Sequence, residues 1–442
     1  MICGRFLNQV LVTALACALL WAAPADAKIY LDINAPVIQK LPLAVQPLKS
    51  LPSGVSDPAL GKELHATLSA DLEFSGLFDL LDPVSFIEDP AKSEIDAGKI
   101  HFDDWRAIGA DVLVKGTYVK TGDQLQVEFY LYDVFRQKQV AAKRFHGSVE
   151  DLRQIAHKFA NEVVKQITGE LGVFDTRIAY LAKSREFQEI HVMDYDGHND
   201  RVLLQDTSII IAPKWSADGE KIVFTSYREG NPDLYQIVVR SGTLQKISGQ
   251  PGINTGGVYS PGGGRLAYVM SKDGNPEIYV LDKYGRTPKR LTDNWATDVS
   301  PSWSPDGKKI AYMSDQAGTP QIYTMTERGG QPYRLTFQGK YNATPAWSPR
   351  GDRIAFASQM DGHFEIATIK SDKSEMVVVT GNGGNNEFPS WSPDGRFLCF
   401  SSTAGGKSDI YIMNANGANL RKVTSSNGMN LAPSWSSRVV YE

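Results

Sequence analysis

Short apolar segments recur at one fixed spacing through the C-terminal part of this chain. Polar turns separate them, and each segment is only long enough for a strand. One series begins at Ile178, Ile222, Leu266, Ile310, Ile354 and Leu398, each 44 residues after the last. Two further series keep the same period, one usually Ile-Tyr or Leu-Tyr and one ending in Leu-Thr or Val-Thr. A constant period of this length predicts a repeat architecture.

A tryptophan followed by Ser-Pro-Asp-Gly, or a near variant, marks each repeat. The marker position is filled by Trp215, Tyr259, Trp303, Trp347, Trp391 and Trp435. With this segment each repeat has four strand-length pieces joined by proline and glycine turns, which is typical of the four-stranded blade of a β-propeller. We expect the tryptophans to pack between neighbouring blades, because repeats of this kind bury a core only by stacking.

The two ends of the repeat region predict how the ring closes. The first unit enters at Ile178 without a preceding tryptophan segment, whereas Trp435 follows a sixth unit that is otherwise complete. The segment that ends at Trp435 should therefore be the innermost strand of the blade that begins at Ile178. We predict six four-stranded blades over residues 173–442, closed by strands from both ends of this region. The tail Arg438–Tyr441 resembles a shortened second strand, and its pairing stays open.

The region before the repeats predicts a small α/β domain over residues 28–172. A helix is expected from an Asp-Pro cap at Asp57 to Phe74, with leucines at four-residue steps. A closing helix is expected from Ser148 to about Glu170, with its apolar stripe formed by Leu152, Ile155, Phe159, Val163 and Ile167. Strands are predicted over Pro42–Leu48, Asp111–Lys120 and Leu125–Phe135.

Residues 1–27 predict a cleavable signal peptide. Arg5 precedes an apolar run from Val10 to Trp21, and Ala25-Asp26-Ala27 has the small-residue pattern of a cleavage site. The mature chain is expected to start near Lys28. No later stretch approaches the ~20 apolar residues of a membrane span. The sequence thus predicts an exported protein without a membrane span.

Composition narrows the classes of partner and chemistry. Lys and Arg number 46 against 50 Asp and Glu, a net charge of −4. This balance argues against a nucleic-acid partner, which would require a basic stripe. Cys3 and Cys17 would leave with the signal peptide, and Cys399 is expected to be a small buried hydrophobe in its strand.

Several motifs resemble catalytic or ligand-binding sites, but their positions in the repeat explain them better as turns and surface residues. The run Pro261-Gly262-Gly263-Gly264 occupies a hairpin-turn slot rather than a phosphate loop. Asp194, Asp196 and Asp200 imitate the start of a calcium loop, but Gln205 stands where the bidentate Glu should be. Histidines of the repeat region stand at unrelated slots, at positions 191, 198 and 363. We therefore predict no catalytic residue, metal or cofactor.

One polar series keeps the repeat spacing and is not explained by turns. Five residues before the marker position stand Asn254, Asp298, Asn342, Asn386 and Asn430, with only Ile210 breaking the series. Lying just ahead of the innermost strands, they should gather around one mouth of the central channel, together with Thr255, Ser300, Thr344 and Glu387. Loops on a rigid scaffold are a natural partner site. The alternative is that each side chain caps its own loop by bonding nearby backbone.

With its signal peptide, α/β domain and propeller in this order, the chain resembles the TolB family of periplasmic Tol-Pal proteins. Phe74-Ser75-Gly76-Leu77-Phe78 and Ile108-Gly109-Ala110-Asp111 extend the resemblance through the first domain. The resemblance implies a non-enzymatic, monomeric protein that binds partners in the cell envelope and supports outer-membrane integrity and constriction during division. The second repeat of this chain departs from the family pattern at two positions, with Tyr259 in place of tryptophan and Gly257 in place of proline. These departures predict a looser loop over residues 252–257.

Two binding surfaces follow from the resemblance. The channel-mouth face would bind the lipoprotein Pal through Asn254, Thr255, Asp298, Ser300, Asn342, Thr344, Asn386 and Glu387. The mature N-terminus would bind TolA through Lys28, Ile29, Tyr30, Leu31, Asp32 and Ile33. Two alternatives remain open: a propeller enzyme of the polysaccharide lyase or lactonase type, and a propeller that binds a glycan or small ligand in its channel.

Overall fold

The structure of the protein is a computed structural model that describes residues 39–438, apart from residues 283, 286, 382, 426 and 427. It divides into two compact units, one ending at Glu170 and one beginning at Leu171. The predicted signal peptide and the segment Lys28 to Ile33 lie outside the described residues.

The first unit is built on one mixed sheet. Its strands are Leu41–Val45 (β1), Lys49–Ser50 (β2), Phe78–Leu80 (β3), Val112–Thr121 (β4), Gln124–Asp133 (β5) and Lys138–Ser148 (β6). Their order is β3-β1-β4-β5-β6, with β2 also paired to β4. The α-helices are Pro58–Phe74 (α1), Phe102–Ala107 (α2) and Leu152–Thr168 (α3), and 3₁₀ turns cover Pro83–Ser85, Pro90–Lys92, Ala97–Lys99 and Val149–Asp151.

The two long helices begin at capping residues that satisfy their free N–H groups. The Asp57 carboxylate accepts from the backbone N–H of Leu60 at 3.2 Å, and Pro58 occupies the first turn of α1. Ser148 and Asp151 form a capping box just before α3, and Gly169 ends that helix in the left-handed conformation. The predicted apolar stripes of both helices are buried. The sequence therefore located these helices to within a few residues.

The prediction of one continuous strand over residues 42–48 was wrong, because the structure has two short strands within residues 41–50. Strand β1 ends at Val45 and pairing with β4 resumes only at Lys49, on β2. Pro47 lies between them, and proline has no N–H for a sheet ladder. Strands β3 and β6 and helix α2 were not predicted at all.

The second unit consists of six four-stranded antiparallel sheets in the described residues, as predicted. Each sheet is a blade whose first strand is the innermost and whose fourth strand is the outermost. Blade 1 is Ile210–Trp215, Lys221–Ser226, Asp233–Val238 and Leu244–Ser248; blade 2 is Asn254–Tyr259, Arg265–Met270, Glu277–Asp282 and Lys289–Arg290; blade 3 is Asp298–Trp303, Lys309–Ser314, Gln321–Thr326 and Gly329–Arg334. Blade 4 is Asn342–Trp347, Arg353–Met360, His363–Lys370 and Val377–Val378; blade 5 is Asn386–Trp391, Phe397–Ser402, Asp409–Asn414 and Arg421–Lys422; blade 6 is Met429–Trp435, Arg177–Lys183, Gln188–Asp194 and Arg201–Asp206.

Blade 6 closes the ring with strands from both ends of the propeller. Its innermost strand pairs with the first strand of the unit, with Trp435 opposite Ile178 and Ser434 opposite Ala179. Each innermost strand also contacts the innermost strands of the two neighbouring blades. The predicted closure is therefore confirmed. Beyond the closing strand, the Arg438 guanidinium donates to the backbone carbonyls of Leu171 and Gly172, at 2.7 and 3.0 Å.

The repeat tryptophans join neighbouring blades, as predicted. The indole N–H of Trp303 donates to the Val258 carbonyl at 3.1 Å, and that of Trp391 to the Ala346 carbonyl at 2.9 Å. At the closing junction the Trp215 indole donates to the Ser434 carbonyl at 3.0 Å. These contacts continue the core from one blade to the next.

All six innermost strands share one irregularity. The register against the second strand shifts between the fourth and the first residue before the repeat tryptophan position, which is a β-bulge. A residue with a positive φ lies within each bulge, and these residues are Ala212, Gly256, Ser300, Thr344, Phe388 and Ala432. Because the left-handed conformation disfavours residues with a Cβ, the five that are not glycine hold backbone strain around the ring.

Candidate protein-interaction face of the propeller

One end of the propeller carries the connections that lead from the outermost strand of one blade into the innermost strand of the next. We call these connections the rim loops. Because strands alternate in direction, the hairpins between second and third strands lie at the same end, and the turns that follow the third strands lie at the other. The predicted polar series lies at the start of the innermost strands, as the first residue in blades 2 to 5 and the second in blade 6, so it lies directly beneath the rim loops.

The first residues of the series are buried rather than exposed. Asn254, Asp298, Asn342 and Asn386 have no accessible surface, and Asn430 is likewise buried. Asn342 donates to the carbonyl of Gln338, and Asn386 to that of Gly384, at 2.7 and 3.2 Å. These side chains therefore hold the rim loops in place, which is the alternative that the sequence left open.

The loop over residues 252–257 is fixed by more hydrogen bonds than the sequence suggested. The Asn254 amide donates to the carbonyls of Pro232, Gln250 and Gly252, and its oxygen accepts from the Ser248 hydroxyl at 2.7 Å. Gly257 leaves little free space, because a Cβ there would lie 2.9 Å from Val223. The predicted looseness is not a feature of this loop.

The remaining members of the predicted site are half-buried and follow the buried residue in their strands. Thr255 and Glu387 are second residues, and Ser300 and Thr344 occupy the strained third position. The Thr255 hydroxyl accepts from the Thr225 hydroxyl at 3.0 Å. These four side chains are thus closer to solvent than the buried residues that begin their strands.

Exposed apolar side chains on the rim were missed by the sequence analysis. Trp295 is 74% exposed and Phe337 is 65% exposed, each within a rim loop. Ile209, Ile253 and Met429 also expose much of their surface, directly before the buried position of blades 1, 2 and 6. Large exposed hydrophobics that share one face are typical of interaction sites. Their loops vary in sequence, so the 44-residue register alone did not reveal them.

Two charged groups of the innermost strands have no ion-pair partner among the described residues. Burial raises the pKa of the Glu387 carboxyl, and burial lowers the pKa of the Lys214 ammonium, whose loss of charge the nearby Cys399 thiol opposes. Both shifts follow from the free energy required to hold a charge away from water. A partner that places an opposite charge beside either group would reduce this free-energy cost.

The histidines of the propeller pair with carboxylates within their own blades. His191 contacts Glu189 and Asp200, His198 contacts Asp196, and His363 contacts Glu365. Within the described part of the propeller taken alone, no three histidine, cysteine or acidic side chains lie close enough to share a metal ion. Cys399 is buried in the second strand of blade 5.

Comparison with known proteins follows the same division of the chain. A family model described as the TolB beta propeller domain matches residues 164–439, and one described as the TolB amino-terminal domain matches residues 29–140. The chain belongs to the TolB family. A crystal structure of TolB from Acinetobacter baumannii superposes with a TM-score of 0.79 at 27% identity, covering 93% of this chain and 100% of that one.

Curated TolB relatives match over part of their length. The Tol-Pal system protein TolB of Desulfosudis oleivorans is 37% identical over 236 residues, 53% of this chain and 53% of the relative. That of Syntrophotalea carbinolica is 41% identical over 206 residues, 47% of this chain and 48% of the relative. The chain thus spans about half the length of the curated relatives it matches. None of the described helices is both long and apolar enough to cross a membrane.

Proposed function

We propose that this TolB-family chain is a non-enzymatic periplasmic component of the Tol-Pal system that binds the lipoprotein Pal through its rim. The observation that carries the proposal is the combination of exposed Trp295 and Phe337 with the unpaired, half-buried Glu387 on a ring of rigid strands. Aromatic anchors surrounded by polar groups are typical of interface hot spots. The TolB names of the relatives support the choice of partner.

Within this proposal the eight predicted rim residues act in two ways. Thr255, Ser300, Thr344 and Glu387 are accessible enough to contact Pal. The buried members, Asn254, Asp298, Asn342 and Asn386, set the shape of the loops that do so. Large charged residues at Asn342 or Asn386 would disturb folding and binding together, so exposed residues provide the sharper test.

The Pal site is tested by isothermal titration of the mature chain with the soluble domain of Pal from the same organism. We expect Trp295→Ala or Phe337→Ala to weaken binding by ~5- to 30-fold, as hot-spot truncations do. Tyr284→Ala is the matched control, because Tyr284 is 70% exposed but lies in a turn at the opposite end of blade 2. Unchanged affinity in a folded Trp295→Ala, Phe337→Ala double variant would refute the site.

We further propose that Lys28, Ile29, Tyr30, Leu31, Asp32 and Ile33 bind TolA. The alternation of apolar and polar side chains in this hexamer suits a strand that adds to the edge of a partner's sheet. Deleting residues 28–33 should abolish TolA binding in a pull-down and leave Pal affinity and the melting temperature unchanged. A deletion variant that still captures TolA would contradict this assignment.

A further inference from the structure

One junction between blades has two buried carboxyl groups at the repeat positions where three other junctions have an asparagine and its acceptor. At three junctions the residue five positions before the tryptophan is an asparagine that donates to the side chain 21 residues earlier. The distances are 2.9 Å from Asn342 to Gln321, 2.8 Å from Asn386 to Glu365 and 3.0 Å from Asn430 to Asp409. Between blades 2 and 3 the same pair is Glu277 and Asp298, so the N–H donor is missing.

Both carboxyl groups are completely buried, and each leaves one oxygen without a hydrogen-bond partner among the described residues. These atoms are Oε2 of Glu277 and Oδ1 of Asp298; Oδ1 of Asn342 is likewise without a partner at its own junction, so the missing donor at Glu277 Oε2 is the feature peculiar to this one. The other oxygens are used: Glu277 Oε1 accepts from Arg290 at 2.9 Å, and Asp298 Oδ2 accepts from the Asn294 amide at 2.8 Å. Buried acceptors without donors are strongly unfavourable, and two adjacent buried carboxyls rarely both ionise.

We propose that Asp298 is protonated and donates to Glu277 Oε2, so that a bound proton replaces the asparagine N–H of the three asparagine junctions. The sister distances suit this arrangement, since an O–H donor reaches across the same gap as an N–H. The proton supplies the donor that Glu277 Oε2 lacks. A calcium ion would require six to eight oxygen ligands, and the pair offers two free oxygens.

The surrounding charges place the proton on Asp298 rather than on Glu277. The Arg290 guanidinium donates to Glu277 and also pairs with the exposed Asp293, so a positive charge lies against Glu277. Burial raises the pKa of Asp298 to about 6, and the neighbouring Glu277 charge adds to this. The hydroxyls of Ser314 and Thr292 oppose the shift but are outweighed. The other titratable groups near the pair are Tyr312, Tyr279, Asp273 and Asp315, the last accepting from the Thr297 N–H.

The pair also anchors the rim loop that carries Trp295. The backbone N–H of Asn294 donates to Glu277 at 2.9 Å, and the Asn294 side chain bonds both Asp298 and the backbone of Ala296. Loss of the proton leaves two repelling carboxylates under this anchor. The loop should therefore loosen as the pH rises through the pKa of Asp298. The consequence for Pal binding rests on the proposed function, whereas the proton itself does not.

The proton is tested on the mature chain labelled with ¹³C at the aspartate carboxyl carbons. The signal that Asp298→Asn removes should titrate near pH 6, far above an exposed aspartate. Because the folded pKa lies above the ordinary value of 3.8, wild-type stability from this group falls as pH rises from about 4 to 6 and then levels off. The urea midpoint of Asp298→Asn, measured relative to wild type, should rise over the same range.

Two further variants keep the outcome interpretable. Glu277→Gln also supplies an N–H donor and should remove the same pH dependence, whereas Asp293→Asn, an exposed acid paired to the same Arg290, should not. An Asp298 signal that titrates below pH 4 would overturn the proposal. A stabilising effect of calcium would also overturn the proposal. In that case millimolar calcium at pH 7.5 would raise the urea midpoint of wild type but not that of Asp298→Asn, because a cation would be bound between the two carboxylates.

The link to binding is measured separately. Pal affinity of wild type should decrease between pH 5.5 and 7.5 more than that of Asp298→Asn. Equal pH dependence of the two proteins would refute the link to the loop. Absence of any Pal binding would refute the proposed function and leave the carboxyl titration as the test of the proton.

Discussion

Single side chains connect blades that share no strand pairing, and at three junctions the indole N–H of the repeat tryptophan makes such a connection. Trp391 donates to the Ala346 carbonyl of blade 4, whereas Trp347, at the same repeat position, donates to Gly351 of its own blade at 3.3 Å. The same residue type therefore has different energetic importance at different junctions. Replacing tryptophan by phenylalanine keeps an aromatic side chain and removes the N–H donor. This change can therefore distinguish the hydrogen bond between blades from the one within a blade.

We expect Trp391→Phe to destabilise the propeller by ~1–3 kcal/mol, because a buried carbonyl loses its hydrogen-bond donor. Trp347→Phe is the matched control and should be milder, since its bond is longer and stays within one blade. Urea unfolding followed by circular dichroism measures both variants. Equal destabilisation would show that ring packing, and not the inter-blade hydrogen bond, decides the effect.

A second side chain predicts a pH dependence of stability in blade 6. His191 bonds Asp200 at 3.0 Å and Glu189 at 3.2 Å. Burial alone lowers the pKa of His191, but the two carboxylates outweigh it and raise the pKa above the ordinary 6.5. The stabilisation is therefore complete below pH 6.5 and is lost as pH rises through the folded pKa.

The difference in unfolding free energy between wild type and His191→Gln should therefore shrink from pH 5.5 to pH 8.5. Asp200→Asn removes one partner and should reduce the same pH dependence. Urea titrations at several pH values measure it. A difference that stays constant with pH would mean that His191 keeps one protonation state throughout.

Turns between strands carry contacts that a strand pattern does not reveal. Gly417 follows the third strand of blade 5, and a Cβ there would lie 2.4 Å from the Val379 carbonyl oxygen of blade 4. Gly406, in the hairpin before that strand, has nothing within 4 Å of the same position. Their φ angles are almost equal, 89° and 90°. A comparison of Gly406 with Gly417 therefore distinguishes the cost of backbone strain from the cost of crowding between blades.

We expect Gly406→Ala to cost ~1–2 kcal/mol, the usual penalty of a left-handed residue with a Cβ. Gly417→Ala should cost ~1–3 kcal/mol more, because the blades must move apart to admit the methyl group. Thermal and urea unfolding of the two variants give the comparison. If both variants lose a similar free energy of unfolding, the junction between blades 4 and 5 adjusts to the added methyl group without a further cost.

Strands with one buried face could be predicted, and strands without that pattern could not. The six blades and helices α1 and α3 have regular apolar periods, which fix their position in the sequence. Strand β6 has almost no buried side chains, because it lies at the edge of its sheet. For the candidate site, spacing located the ends of the innermost strands but not the direction of the side chains. Asn342 and Asn386 point into the protein because loop carbonyls there need donors.

The closed ring as a whole depends on one short strand from the end of the chain. Residues 429–435 supply the innermost strand of blade 6, and Ser434 accepts from Trp215 N–H at 3.2 Å to join blade 1. Without it, blades 1 and 5 would each expose a face that is normally covered. Propeller stability should therefore be cooperative across all six blades.

A chain truncated after Thr424 should lose its near-ultraviolet circular dichroism and its single cooperative unfolding transition. A synthetic peptide of residues 429–438 added in trans should restore both, because it supplies the missing strand. A peptide with Trp435→Ala should restore them poorly, since the indole of Trp435 donates to the Thr176 hydroxyl at 2.8 Å. A truncated chain that melts like the full chain would contradict this dependence.

Closure by the last strand also sets when folding can finish as the exported chain emerges from the membrane. Domains fold in order as the chain emerges, and Ile178 is made about 250 residues before its partner Trp435. One edge of the strand Arg177–Lys183 therefore stays unpaired until the other five blades and the closing strand have emerged. A ribosome that stops early releases a chain with exposed edges, which proteases can recognise. The ring thus distinguishes complete chains from incomplete ones before any partner is met.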